Sequence, residues 1–85
     1  MKMAEQISDL DVVIAGLGEI KEDIAVPRNV RMKMASVIAT LNEETELSIR
    51  VNKTLNELDE ISNDVNLQPY TRTQIWNAIS LLEKL

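Results

Sequence analysis

Apolar residues recur at steps of three and four in four separate stretches, and the breaks fall at Val26-Pro27, at Asn42 and at a polar turn before Pro69. An α-helix turns once in about 3.6 residues, so that spacing puts each set on one face of a rod. In the first stretch Met3, Ile7, Leu10, Ile14, Leu17 and Ile24 keep the step, Lys21 fills the one gap, and Val13 and Ile20 widen the seam. This predicts a helix over about residues 4–25. Gly16 and Gly18 fall inside it, each at a cost of about 1 kcal/mol relative to Ala. Close approach of a neighbouring helix, or a local kink, is the expected reason for them.

Pro27 ends that helix and suits the first position of the next, where its missing N–H would be unpaired anyway. Val30, Met34, Val37 and Leu41, with Ile38 alongside, carry the second helix over about 27–41. Glu43, Glu44 and Glu46 suit a helix N-terminus through the macrodipole. Leu47, Val51, Leu55, Leu58 and Ile61 then continue a third helix, about 43–62. Residues Ser62 to Asn66 form a polar turn. Pro69 opens the fourth helix, about 69–84, with Ile75, Ile79 and Leu82 as its seam and Trp76, Ala78, Leu81 and Leu85 beside them. Short connections imply antiparallel neighbours, so the expected fold is all-α, a single-domain up-and-down antiparallel four-helix bundle over residues 1–85. No internal repeat or low-complexity tract stands out in the residues.

The residue inventory removes several chemistries. There is no His and no Cys among the 85 residues, which excludes zinc-finger spacings, thiol nucleophiles, imidazole bases and the Glu-x-x-His motif of carboxylate-bridged metal bundles. A Ser–Lys pair has no elbow or oxyanion motif to support it. Trp76 and Tyr70 are the sole aromatic residues, too few for a base-stacking platform. The acid-rich run from Asp59 to Asn66 fails as a calcium loop. Counted from Asp59, positions six and twelve are Asp64 and Tyr70; counted from Asp64 they are Pro69 and Ile75. A helix cap and turn is the expected reading. No enzyme activity, metal or cofactor is expected.

Net charge is −5, which disfavours nonspecific binding to nucleic acid or anionic lipid. The charge is uneven: residues 1–27 carry two Lys against six acids, residues 28–53 five Lys/Arg against three, and residues 54–85 two against five. No apolar run approaches the roughly 20 residues of a membrane helix, and the N-terminus lacks the apolar stretch of a secretory signal. An intracellular, cytoplasmic protein is expected.

In an up-and-down bundle the second and fourth helices are parallel, so their N-termini share a pole. Arg28, Asn29 and Arg31 would then lie near Thr71, Arg72 and Thr73, where unpaired N–H groups and two positive dipole ends could bind a phosphate, an RNA backbone or a partner's carboxylate. The competing expectation is that Asp23, Asp59, Glu60 and Asp64, at the same pole, pair with the arginines and neutralise them. Arg72 and Trp76, four residues apart, could stack as a cation–π pair, although filling the core is the favoured role for Trp76. Met32 and Ile49 lie about 200° from their helices' seams. With Trp76 they are candidates for a dimer or partner interface.

The segments Val26-Pro27-Arg28-Asn29-Val30-Arg31, Leu58-Asp59-Glu60-Ile61-Ser62-Asn63-Asp64 and Thr71-Arg72-Thr73-Gln74-Ile75-Trp76-Asn77 together resemble a family of short all-helical archaeal proteins known as an uncharacterised protein family. The resemblance covers nearly the whole chain and implies a four-helix bundle. It brings no activity, cofactor or site residues. The family pattern has Pro directly after the acid matched by Asp64, where this chain has Val65. Two functions are therefore expected to compete: a non-enzymatic interaction module or small assembly subunit, and an RNA- or ribonucleoprotein-associated helper that uses the basic pole.

Overall fold

Ser8 opens the first helix: its Oγ accepts the Asp11 N–H at 3.1 Å, satisfying one of the four orphan donors of a helix start. The computed structural model describes residues 8–85, so Met3 and Ile7 lie outside the described residues. Four helices follow, α1 (Asp9–Glu22), α2 (Arg28–Leu41), α3 (Leu47–Ser62) and α4 (Pro69–Leu82). Asp9 and Asp11 in the first turn of α1 suit its dipole.

The helix ends depart from the periodicity in two places. α1 stops at Glu22 because Asp23 takes an extended conformation, φ −85° and ψ 110°. Ile24, counted above as seam, therefore sits on the connection and is 88% exposed. α3 starts at Leu47 rather than at the glutamates, with Glu46 as an extended N-cap. Pro27 is likewise the N-cap of α2 rather than its first residue, whereas Pro69 does occupy the first turn of α4.

α1 packs on α2 and α4, and α3 packs on α2 and α4. Successive helices are neighbours joined by short connections, which forces them antiparallel. The result is an up-and-down four-helix bundle, a rod of 43 × 25 × 19 Å. One pole carries the connections 23–27 and 63–68. The other carries 42–46, the start of α1 and the end of α4. Val13, Leu17 and Ile20 of α1, Val30, Met34, Val37 and Leu41 of α2, Val51, Leu58 and Ile61 of α3, and Ile75, Ala78 and Leu82 of α4 fill the axis.

The two halves of the bundle repeat each other at an offset of 41 residues, which corrects the expectation of no internal repeat. Val13, Leu17 and Ile20 correspond to Thr54, Leu58 and Ile61; Val26 corresponds to Leu67; Val30, Met34, Val37 and Leu41 correspond to Thr71, Ile75, Ala78 and Leu82. Every member of these pairs is buried. The connections match in detail. Asp23 Oδ1 accepts the Ala25 N–H at 2.9 Å, and Asp64 Oδ1 accepts the Asn66 N–H at 2.8 Å. Val26 N–H donates to the Asp23 carbonyl at 3.0 Å, and Leu67 N–H to the Asp64 carbonyl at 3.2 Å. Each is an Asx turn, and each leaves one aliphatic residue outside, Ile24 and Val65, the latter 90% exposed. The repeat is hard to see in the letters because Val faces Thr, Gly16 faces Glu57 and Pro is displaced by one position.

Candidate interaction surface

Arginine at the fourth position of a helix holds the connection before it, three times over. Arg31 Nε donates to the Val26 carbonyl at 3.0 Å. Arg50 donates from Nε to Thr45 at 3.1 Å and from Nη1 to Leu41 at 2.8 Å, both carbonyls. Arg72 donates from Nε to the Ser62 carbonyl at 3.0 Å and from Nη2 to the Asp64 carbonyl at 2.8 Å. A planar guanidinium can serve two carbonyls of a helix end at once, which an ammonium on a flexible stem does poorly.

This bears on the basic pole. The fold does bring Arg28, Asn29 and Arg31 to the same end as Thr71, Arg72 and Thr73. Arg31 and Arg72 are half-buried; Arg31 gives its Nε, and Arg72 its Nε and Nη2, to backbone carbonyls. Thr71 is buried in the core. Arg28, Asn29 and Thr73 remain exposed. Among the described residues, ion pairs join Lys21 to Glu22 at 3.1 Å and Lys53 to Glu43 at 3.4 Å. Asp23, Asp59, Glu60 and Asp64 make none with the arginines, so carbonyls rather than carboxylates meet the guanidinium groups.

Trp76 is 54% exposed, which overturns the core role expected for it. The helix explains this: core-facing Ile75 and Ala78 flank it, and 100° per residue turns position 76 outward. Arg72 donates to the pole carbonyls in the plane of its guanidinium, an engagement that does not by itself occupy the face a cation–π stack uses. Met32 and Ile49 are also exposed. They do not form one patch with each other, since Met32 lies near the pole where α2 begins and Ile49 near the opposite pole where α3 begins.

The outer face of α4 is different in kind. Its exposed residues are Pro69, Tyr70, Thr73, Trp76, Asn77 and Ser80, none of them charged, in a chain with 27% charged residues. Exposed positions of α1, α2 and α3 include Glu19 and Glu22, Arg28 and Lys33, and Lys53, Asp59 and Glu60 respectively. Depletion of charge together with exposed Trp and Tyr is the compositional mark of the centre of a protein interface. The absence of charge from residues 73–82 was readable in the sequence; that this face points outward was not.

Between α1 and α4 runs a groove of about 300 Å³, with Val12, Gly16 and Glu19 on one wall and Tyr70, Thr73 and Asn77 on the other. A Cβ placed on Gly16 or Gly18 would meet nothing within 4 Å, so close helix approach is not the reason for either glycine. The counterpart groove between α2 and α3 is smaller, about 140 Å³, and is lined by Lys33, Ser36, Glu57 and Glu60. There Glu57 stands at the Gly16 position. Its Oε1 and the hydroxyl of fully buried Thr54 have no hydrogen-bond partner. Among the described residues, no group of three acids gathers to hold a metal ion, and no helix is long and apolar enough to cross a membrane.

Fold and surface together define a small all-α bundle whose polar ends are closed by arginine and whose distinctive exposed face is uncharged. The chain belongs to the uncharacterised protein family UPF0147, whose family model matches residues 1–85. A UPF0147 protein of Methanosarcina acetivorans is 43% identical over 70 residues, covering 81% of this chain and 72% of the relative. One from Methanocaldococcus jannaschii is 44% identical over 70 residues, covering 81% and 75%. The crystal structure of the protein of unknown function MMP1188 has a TM-score of 0.87 at 40% identity, covering all of this chain and 98% of the other. That of a UPF0147 protein from Thermoplasma acidophilum has a TM-score of 0.86 at 38% identity, covering 91% and 92%.

Proposed function

We infer that this protein is a non-enzymatic intracellular interaction module, a small subunit that docks on a protein partner through the outer face of α4. The observation that carries the reading is the uncharged face itself: Trp76 and Tyr70 are 54% and 70% exposed on a helix whose one charged side chain, Arg72, is spent on backbone carbonyls. A half-exposed Trp in a chain with a single Trp is the residue type most enriched at binding hot spots. The lack of His and Cys supports the non-enzymatic part of the reading. For the runner-up, a ribonucleoprotein helper, the pole offers exposed Arg28, Asn29 and Thr73 beside the start of α2, while Arg31 and Arg72 hold their own connections. The test is affinity capture from native cytoplasm with wild type, Trp76→Lys and the Met32→Lys/Ile49→Lys double variant. Loss of the retained protein with Trp76→Lys alone supports the reading. Retention by Trp76→Lys overturns it, and capture that collapses steeply with salt and with Arg28→Ala overturns it in favour of the pole.

A further inference from the structure

We propose that the α4 face pairs two copies of this chain about a two-fold axis parallel to the bundle, with Trp76 of each copy entering the α1–α4 groove of the other beside Gly16. This rests on the interaction reading above and names the partner.

The first support is register. Successive helical residues are about 100° apart, so Gln74 and Trp76 project to opposite flanks of core-facing Ile75. Gln74 lines the groove on the α1 side, which places Trp76 on the α3 side. Gly16 shares that groove with Thr73 and Asn77, so the space it leaves is level with Trp76 along the rod. A two-fold axis along the rod sets the Trp76 flank of each α4 against the groove flank of the other at one height. An antiparallel pairing would set Trp against Trp and groove against groove, with no side chain to fill either groove. Between the two flanks Thr73, Asn77 and Ser80 form a ridge of small side chains that lets the helices approach.

The second is size and charge. The groove at Gly16 holds about 300 Å³ against about 140 Å³ where Glu57 takes its place, and the larger volume accommodates an indole. The net charge of −5 opposes the pairing of two copies, and an uncharged face is where that repulsion is least. A standard interface needs about 800 Å² from each partner. The outer face of α4, a helix of 14 residues and about 21 Å, does not supply that alone, so the flanking surfaces of α1 and α3 complete the interface along the 43 × 25 × 19 Å rod.

Sedimentation equilibrium and Trp fluorescence on the full chain, from micromolar to millimolar concentration, test the proposal. A monomer–dimer equilibrium is expected, strengthened by salt because the net charge opposes it, with a blue shift of the single Trp as the dimer forms. Gly16→Leu is the discriminating variant. Leu favours the helix and its Cβ meets open space, so circular dichroism and melting are preserved while the groove is filled. The dimer dissociation constant is expected to rise about 30-fold or more, and the blue shift to vanish. Trp76→Lys acts the same way at an exposed position, and the Met32→Lys/Ile49→Lys control leaves the dimer unchanged. A chain that stays monomeric throughout, or a dimer that ignores both Gly16→Leu and Trp76→Lys, overturns the proposal. If the chain is monomeric yet Trp76→Lys loses a protein that the wild type captures, self-pairing falls and the interaction reading stands. If no such loss occurs, both fall.

Discussion

Arg72 Nη2 donates to the carbonyl oxygen of Asp64 at 2.8 Å, across the turn that leaves α3 and enters α4. The same guanidinium reaches the Ser62 carbonyl, the last of α3. A residue that sequence reasoning places in an anion site thus completes the backbone hydrogen bonding of a helix end. Arg31 does the same at the equivalent turn, for one carbonyl.

The difference between these arginines is measurable. Truncating Arg72 leaves two half-buried carbonyls without a charged donor; truncating Arg31 leaves one. A charged hydrogen bond contributes about 1.5–3 kcal/mol. Arg72→Ala is expected to lower stability in urea unfolding by about 3 kcal/mol and Arg31→Ala by about half that. Arg72→Lys recovers only part, since an ammonium does not span both acceptors. Equal small losses for all three would show that the connections hold without them.

The two equivalent turns accept proline. Val26 N–H to Asp23 and Leu67 N–H to Asp64 make Ile24 and Val65 the second residues of four-residue turns, the position proline favours. Asp23 is extended at φ −85° and ψ 110°, as a residue before proline must be. Ile24→Pro and Val65→Pro are each expected to raise stability by about 0.4–1 kcal/mol through the unfolded chain, read as a higher melting temperature. A lower one would contradict the turn assignment.

Thr54 is fully buried with an unpartnered hydroxyl, whereas Thr40 donates its hydroxyl to the Ser36 carbonyl at 3.1 Å. Val13 fills the position equivalent to Thr54 in the other half. Thr54→Val removes the orphaned group and keeps the branched shape, so a gain of about 1 kcal/mol or more is expected in denaturant titration. Thr40→Val, which discards a made bond, is expected to give none.

Gly18 lies inside α1 with open space at its Cβ. Gly18→Ala is expected to stabilise by about 1 kcal/mol, measured by thermal unfolding. Destabilisation would mean that the helix needs the glycine for a reason other than packing.

The seams of α2 and α3 are legible where burial follows the helical step: Val30, Met34, Val37 and Leu41 are all buried, as are Val51, Leu58 and Ile61, while Leu55 is partly buried and Leu47, at the first position of α3, is 39% exposed. α1 was read with its axis rotated. Val13 and Ile20, placed at the margin, are fully buried, while Leu10 and Ile14 are only partly so. Continuing the period past Glu22 mistook a turn-tip Ile24 for core. Trp76 was misplaced because size argued for burial, while its exposure depends on which flank of α4 meets α1 and α3, a tertiary fact. The pole was placed correctly in space, yet its chemistry was not legible, since nothing in a sequence says whether a guanidinium turns to solvent or to its own backbone.

The outward face of α4 as the docking surface is tested most directly by following the backbone amide resonances of isotope-labelled chain as unlabelled chain is added to millimolar concentration. Shifts are expected along residues 69–82 and on the facing wall of α1 from Val12 to Glu19, growing with concentration and absent in Gly16→Leu. Shifts centred instead on Met32 and Ile49 or on the Arg28 pole would contradict the α4 face, and no shift at any concentration would contradict its self-pairing.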